Sequence, residues 1–134
     1  RLVHLGCWAH ARRYMVDALQ VLPKNARTPE QPAAQCIELI AKRYAVEGKA
    51  RELRMDAQKH QAHRQQHSMP VIKAIEALVL THLHTVVPGS ALGKALHYFS
   101  SQWPKLIRYV EDGRYPIDNN ACENSIRPFV MACS

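Results

Sequence analysis

The apolar residues in the second half of the chain recur every three or four positions. After Pro70 they are Ile72, Ile75, Val79, Leu83 and Val86, and after Ser90 they are Leu92, Leu96, Phe99, Trp103, Leu106 and Val110. This spacing puts them on one face of a helix, so we predict two amphipathic helices. Pro88-Gly89 should end the first helix, and Ser90 can cap the second. Pro104 is expected to kink or split the second helix, which should end at Gly113.

The first half of the chain predicts one short strand followed by helices. Leu2, Val3 and Leu5 form an apolar run of strand length that stops at Gly6. A helical stripe follows at Tyr14, Met15, Ala18, Leu19 and Leu22, and the prolines at 23, 29 and 32 then indicate a loop. From Ala33 to about His67 we expect one long, partly exposed helix, or two helices broken near Gly48.

Composition indicates a single basic domain. The chain has 134 residues, 47% of them hydrophobic, which suits one compact core. Neither a membrane span nor a signal peptide is indicated. Eighteen Lys and Arg against 11 acids give a net charge of +7, which favours a polyanionic partner such as nucleic acid, although an ordinary basic protein is the alternative. Four scattered cysteines do not suggest a disulfide framework, so we expect a reducing cytosol.

Near the C-terminus, Glu123 stands in "YPIDNNACENSIRP", which runs from Tyr115 to Pro128. Asp118, Asn119 and Asn120 are all good helix N-caps. If Asn120 caps, Glu123 takes the third helical position, where it can bond back to the cap and pair with Arg127. Local chemistry therefore gives Glu123 a sufficient structural role.

Two longer stretches suggest a further role. "GCWAHARRYM" and "PGSALGKALHYFSSQWPKLIRYVEDGRYPIDNNACENSIRPF" resemble the C-terminal part of bacterial transposases of the insertion sequence 66 family. The resemblance is looser across the helical middle but covers nearly the whole chain. It implies an Asp-Asp-Glu catalytic triad on a ribonuclease H-like fold, with Glu123 as the glutamate. The expected fold is therefore mainly α: the C-terminal fragment of that fold, with one short N-terminal strand and a helical insertion.

The resemblance also implies a metal cofactor. Strand cleavage and joining by such enzymes use two Mg²⁺ or Mn²⁺ ions, hard cations that carboxylates hold. Glu123 is the expected metal ligand in this chain, because the family's two aspartates lie upstream of the part that matches "GCWAH". The family's basic Gly-Arg-Lys-Asn-Trp stretch is also replaced here by Ala132-Cys133-Ser134. We therefore expect the fragment by itself to be inactive and to bind no cation tightly.

Other site residues follow from the same resemblance. Cys7, His10, Asn119, Asn120 and Arg127 are expected to support the catalytic carboxylate, and Arg12, Arg13 and Arg127 to contact DNA. Cys7 and His10 also have the spacing of half a zinc site, although a second half is not evident. The other alternative is a small buried cysteine and a hydrogen-bonded histidine at a strand end.

Three further histidines, His60, His63 and His67, fall on one helix face near Lys59 and Arg64. We interpret this cluster as a solvated basic face, with a nucleic-acid contact as the alternative.

The sequence thus predicts a fragment of a DNA transposase that carries out metal-dependent cleavage and strand transfer. Its parts would be the last core strand and a helix (1–21), a helical insertion (22–90) and the helices carrying the glutamate (91–134). The expected partners are the element's DNA ends and target DNA, with further copies or other transposition proteins, in the bacterial cytoplasm at the nucleoid. The alternatives are a non-catalytic helical DNA-binding or regulatory module and, third, a zinc-stabilised module.

Overall fold

The computed structural model describes residues 6–116, and within them the chain is mainly helical with no strand. This confirms the mainly α prediction, whereas the strand predicted at residues 2–5 lies outside the described residues. The α-helices are α1 (Trp8–Gln20), α2 (Pro32–Glu52), α3 (Ala57–His63), α4 (Met69–Leu83) and α5 (Ala91–Leu106). Two 3₁₀ turns, Lys24–Ala26 and Arg108–Glu111, and one π-helical turn, Arg64–Ser68, complete the described elements.

The four longer helices enclose one core. Helix α1 packs on α2 and α5, and α4 packs on the same two helices from the other side. The largest buried apolar side chains are Trp8, Met15, Ile40, Ile75, Leu96, Phe99 and Leu106. Each one removes enough apolar surface from water to contribute about 1.5–3 kcal/mol. No helix among residues 6–116 has both the length and the apolar content needed to cross a bilayer.

The predicted stripes of α4 and α5 are largely confirmed. Ile72, Ile75 and Val79 are buried on α4, and Leu96 and Phe99 on α5. Ser90 caps α5, as its hydroxyl accepts a hydrogen bond from the Gly93 N–H at 3.0 Å. The apolar period therefore identified the buried faces of both helices.

Three helices end earlier or later than expected: α4 stops at Leu83, before Pro88-Gly89, and α5 stops before Gly113. Helix α2 continues through Gly48 and ends at Glu52, since its neighbours Glu47 and Ala50 are both buried and hold it against the core. Helix α5 continues through Pro104 and ends at Leu106, so it is not split. Pro104 lies in the last turn and is exposed, where water can solvate the carbonyl that loses its N–H partner.

Helices α3 and α4 are joined without a loop by the π-helical turn. The Met69 N–H bonds to the Arg64 carbonyl, five residues back. Pro70 follows directly and has no N–H to offer the regular ladder, and its ring crowds the carbonyl of Gln66, so the wider turn relieves both problems. The turn leaves Arg64 and Ser68 both facing the interior.

Candidate functional site

The predicted site residues divide into two groups. Glu123, Asn119, Asn120 and Arg127 lie outside the described residues. The chain that leads to them is described as far as Pro116. The second group, Cys7, His10, Arg12 and Arg13, lies at the start of α1.

The start of α1 is bonded to the end of α5, almost a hundred residues later. The Gly6 N–H donates to the Lys105 carbonyl at 2.8 Å, and the Trp8 indole N–H donates to the Leu106 carbonyl at 2.7 Å. A Cβ on Gly6 would come within 2.8 Å of the Leu106 backbone, so only glycine allows this approach. The structure therefore brings the "GCWAH" stretch next to the segment that leads to "DNNACENSIRP".

Cys7 and His10 differ in burial and in their position relative to α1. Cys7 is fully buried at the N-terminal boundary of α1, whereas His10 is half-buried in the first turn of that helix rather than at a strand end. Within residues 6–116, no group of three or more His, Cys, Asp or Glu side chains is arranged to hold a metal ion. A zinc site gains no support from the described part of the chain.

Arg12 and Arg13 are exposed on α1. They line a shallow cavity on the outer face of that helix together with Ala9, Val16 and Asp17. Exposed guanidinium groups can bind phosphate oxygens. Their position is compatible with the predicted DNA contacts.

A buried ion pair lies where α2 meets the π-helical turn. The Arg64 guanidinium donates twice to the Glu47 carboxylate, from Nη2 to Oε1 at 2.7 Å and from Nε to Oε2 at 2.9 Å. The His60 Nε2 also lies 2.9 Å from Oε1 of that carboxylate. The Arg64 and Glu47 side chains are 1% and 3% exposed, so removing either partner would leave a buried charge unpaired.

The charge state of Glu47 follows from these contacts. Burial raises the pKa of its carboxyl, but the hydrogen bonds and charges of Arg64 and His60 outweigh burial and bring the pKa below its usual value. A carboxylate with a lowered native pKa stabilises the fold above its unfolded pKa. That contribution is lost as the pH falls through the native value.

Arg64 also binds the turn that follows α5. Its Nη1 donates to the carbonyls of Tyr109 at 2.7 Å and Asp112 at 3.0 Å. The Gln65 amide donates to the Val110 carbonyl at 3.1 Å. Three carbonyls of residues 109–112 are thereby held by two adjacent side chains. We call this arrangement, with Glu47 behind it, the Arg64 clamp.

Arg43 ties the clamp to the start of α1. Its guanidinium carbon lies 3.5 Å from the ring centre of Trp8 and 4.6 Å from that of Tyr109. The side chain is fully buried, and burial lowers its pKa. None of its N–H groups has a hydrogen-bond acceptor within residues 6–116. The two aromatic faces supply the attraction instead, an interaction that strengthens when the cation is desolvated.

The turn after α5 packs closely on α3 at Gly113, and we expect a glycine to be essential there. A Cβ there would lie 2.1 Å from the Ala57 carbonyl oxygen and 2.9 Å from the Gln61 backbone nitrogen, at the start of α3. Gly113→Ala should therefore lower the free energy of unfolding by about 1–3 kcal/mol, measured by urea denaturation.

Gly89→Ala is the matched control, because a Cβ at Gly89 meets nothing within 4 Å. That variant should change stability by no more than about 0.5 kcal/mol. Equal effects of the two substitutions would contradict the close packing of the turn on α3.

The interpretation of the His60–His67 cluster as a solvated basic face is wrong for its central residues. Arg64 is buried in the clamp, His60 contacts Glu47, and the His63 ring nitrogen lies 3.0 Å from the Val46 carbonyl. The reason is that the facing helix α2 supplies a buried carboxylate. Lys59 and His67 remain exposed.

The clamp residues were missed, although the sequence carries a signal for them. The buried positions of α2 are Ala33, Cys36, Ile40, Arg43, Glu47 and Ala50. These steps of three and four continue the apolar register through two charged residues. Stepping back from Ile72 in fours likewise gives Ser68 and Arg64, both buried. A charged residue in the register of an apolar stripe is the sign of a buried pair.

The family model described as "Transposase IS66 family" matches residues 1–132, nearly the whole chain. No solved structure matches.

Two curated relatives from Sinorhizobium fredii (strain NBRC 101917 / NGR234) match as well. "Uncharacterized protein y4jD" is 32% identical over 93% of this chain, and "Uncharacterized protein y4qI" is 29% identical over 92% of it. The matches cover 23% and 21% of those proteins. The chain therefore spans less than a quarter of the length of the relatives it matches.

Proposed function

The chain belongs to the IS66 family of transposases, and from this premise we propose that it supplies the catalytic glutamate, Glu123, to a metal-dependent DNA transposase. The complete enzyme would cleave and rejoin DNA strands at the ends of an insertion sequence. Two aspartates from upstream of the "GCWAH" part, on a ribonuclease H-like core, would complete the triad. Residues 22–90 would form a helical insertion in that core.

One observation in particular supports a catalytic role for the segment after Pro116. The Arg64 clamp holds residues 109–112 through buried, charge-assisted hydrogen bonds, and the "DNNACENSIRP" stretch begins six residues after the last of them. A catalytic carboxylate must be kept within a fraction of an ångström of its working position by rigid supports. Residues 109–112, which lead to the stretch with Glu123 and are held by the clamp, meet part of that requirement.

The metals would be Mg²⁺ or Mn²⁺, which activate the attacking oxygen and stabilise the leaving oxygen when bound. The described residues contain no group of three ligands that could hold such an ion. We assign the metal to Glu123 and to the two upstream aspartates because the family resemblance places the triad there and carboxylates are the ligands that such hard cations take. One carboxylate is too few for two cations, so the isolated chain should neither nick DNA nor bind Mg²⁺ tightly.

Arg12 and Arg13 are proposed to contact the DNA backbone. For double-stranded DNA, the slope of log affinity against log salt concentration is about −0.9 for each phosphate contact. The double variant Arg12→Ala, Arg13→Ala should therefore reduce the slope of log affinity against log salt by up to about 1.8, measured by fluorescence anisotropy with a duplex oligonucleotide.

The matched control removes two exposed lysines from other helices, Lys42→Ala with Lys73→Ala, for the same change in net charge. A uniform charge effect would alter both double variants equally. That outcome would contradict a local contact at α1.

A non-catalytic DNA-binding module is the second candidate. It is favoured by the self-contained helical core and the exposed arginines of α1. The two candidates differ in metal dependence, because a binding module needs no carboxylate at position 123. Substitution of Glu123 therefore separates them.

A further inference from the structure

An open groove between α1 and α5 lies apart from the Arg64 clamp. It encloses about 440 Å³ and is lined by Tyr14, Pro88, Lys94, His97, Tyr98 and Ser101. Lys94 and His97 are both exposed. The lining contains no carboxylate. A groove of this size accommodates a ligand of about one or two nucleotides.

The lining of the groove includes a preformed pair of stacked aromatic rings. Tyr14 and Tyr98 are stacked with ring centres 4.5 Å apart and planes inclined by 24°. Tyr98 in turn meets the buried Phe99 edge to face at 6.4 Å. The stack is therefore supported from the core.

Tyr14 is unusual for the helix on which it stands. The side of α1 that packs into the core carries Trp8, Ala11, Met15 and Ala18, all buried. Tyr14 is 38% exposed and faces the groove instead. A large aromatic side chain beside an open groove contributes less to the core than a buried one and offers its surface to a ligand.

We propose that this groove binds unpaired nucleotides of DNA, with a base stacked on the Tyr14–Tyr98 pair and its phosphates near Lys94. Stacking on aromatic side chains accepts any base, because every base has a flat π-face. In a duplex those faces are covered by neighbouring base pairs. The groove should therefore prefer single-stranded DNA, such as the strand ends that cleavage exposes. The choice of DNA rests on the proposed function, whereas the stacking geometry does not.

The test compares single-stranded and duplex binding by the 134-residue chain. Tyr14→Leu removes the ring but keeps an apolar side chain, and Tyr14→Phe keeps the ring as the matched control. With a labelled oligothymidine, Tyr14→Leu should weaken binding about 5- to 100-fold, and Tyr14→Phe should change it by less than about 2-fold. Duplex affinity should stay within about 2-fold for both variants.

A second measurement locates the contact directly. An oligonucleotide with one 5-iodouracil should crosslink on irradiation to Tyr14 or Tyr98, identified by mass spectrometry of the peptides. Lys94→Glu, an exposed substitution outside the aromatic stack, should weaken single-strand binding even if Tyr14→Leu lowers the melting temperature. Crosslinking confined to other helices, or Tyr14→Leu binding single strands as well as its parent, overturns the proposal. So does binding of an unstructured peptide but not of DNA.

These outcomes are separable from those of the proposed function. If duplex binding remains sensitive to Arg12 and Arg13 while the Tyr14 variants bind single strands normally, the groove assignment fails and the transposase proposal stands. If the groove binds single strands but Glu123 proves dispensable for cleavage, the groove assignment stands and the catalytic role of Glu123 fails.

Discussion

Arg64→Met is expected to lower the free energy of unfolding by about 3–5 kcal/mol, because it leaves the Glu47 carboxylate buried without its bidentate partner. The same substitution removes the donor from the Tyr109 and Asp112 carbonyls. Urea denaturation followed by circular dichroism measures the effect. Arg51→Met is the matched control: Arg51 is exposed in the last turn of α2, so that change should stay within about 0.5 kcal/mol.

The double variant Arg64→Met, Glu47→Met tests the pairing itself. Replacing both partners of a buried ion pair by apolar residues of similar size is often close to neutral, so the double variant should be more stable than Arg64→Met alone. Its remaining deficit reports the two lost hydrogen bonds from Arg64 to the carbonyls of Tyr109 and Asp112, each about 1.5–3 kcal/mol because the donor is charged. Additive effects of the two single substitutions would contradict the pair.

The same variants reveal the pH dependence of the pair. Since the native pKa of Glu47 is lowered, the parent should lose stability as the pH falls below about 4, near the unfolded pKa of a glutamate. The double variant should lose less over that range. Part of the loss should remain, because hydrogen bonds from Arg114 lower the pKa of Asp112 to about 2.

Apolar spacing was enough to predict α4, α5 and the Ser90 cap, since those depend on local chemistry and on the burial of one face. It did not predict the clamp, because a residue's charge was taken as a sign of exposure. Glu47 and Arg64 belong to different helices, and each explains the burial of the other. Local periodicity places each of the two residues in a buried stripe, but it does not identify the partner on the other helix, because that depends on tertiary packing.

The alternative of a break near Gly48, and the kink or split expected at Pro104, show a related limit. Intrinsic preference disfavours both residues inside a helix, by about 1 and 3 kcal/mol. At Gly48 the buried neighbours Glu47 and Ala50 outweigh that preference. At Pro104 the position near the helix end reduces what is lost. The helical role of Glu123, by contrast, lies outside the described residues and stays a prediction beside the catalytic one.

Glu123→Gln is expected to reduce DNA cleavage by a complete transposase containing this chain by about 10³-fold or more, because a hard cation needs the carboxylate charge that glutamine lacks. Glutamine keeps the size of the side chain and can still bond back to a helix cap, so stability should change by at most about 1 kcal/mol. Glu111→Gln is the control. Glu111 is exposed in the 3₁₀ turn after α5, and its substitution should leave cleavage unchanged.

The decisive measurement is therefore the rate of Mg²⁺-dependent cleavage of insertion-sequence ends by the complete protein, compared between the parent, Glu123→Gln and Glu111→Gln. We expect Glu123→Gln to bind the same DNA with the parent's affinity and melt at the parent's temperature while cleaving almost none of it. If it instead cleaves at the parent's rate, Glu123 serves only to cap a helix and pair with Arg127, and the catalytic assignment is wrong.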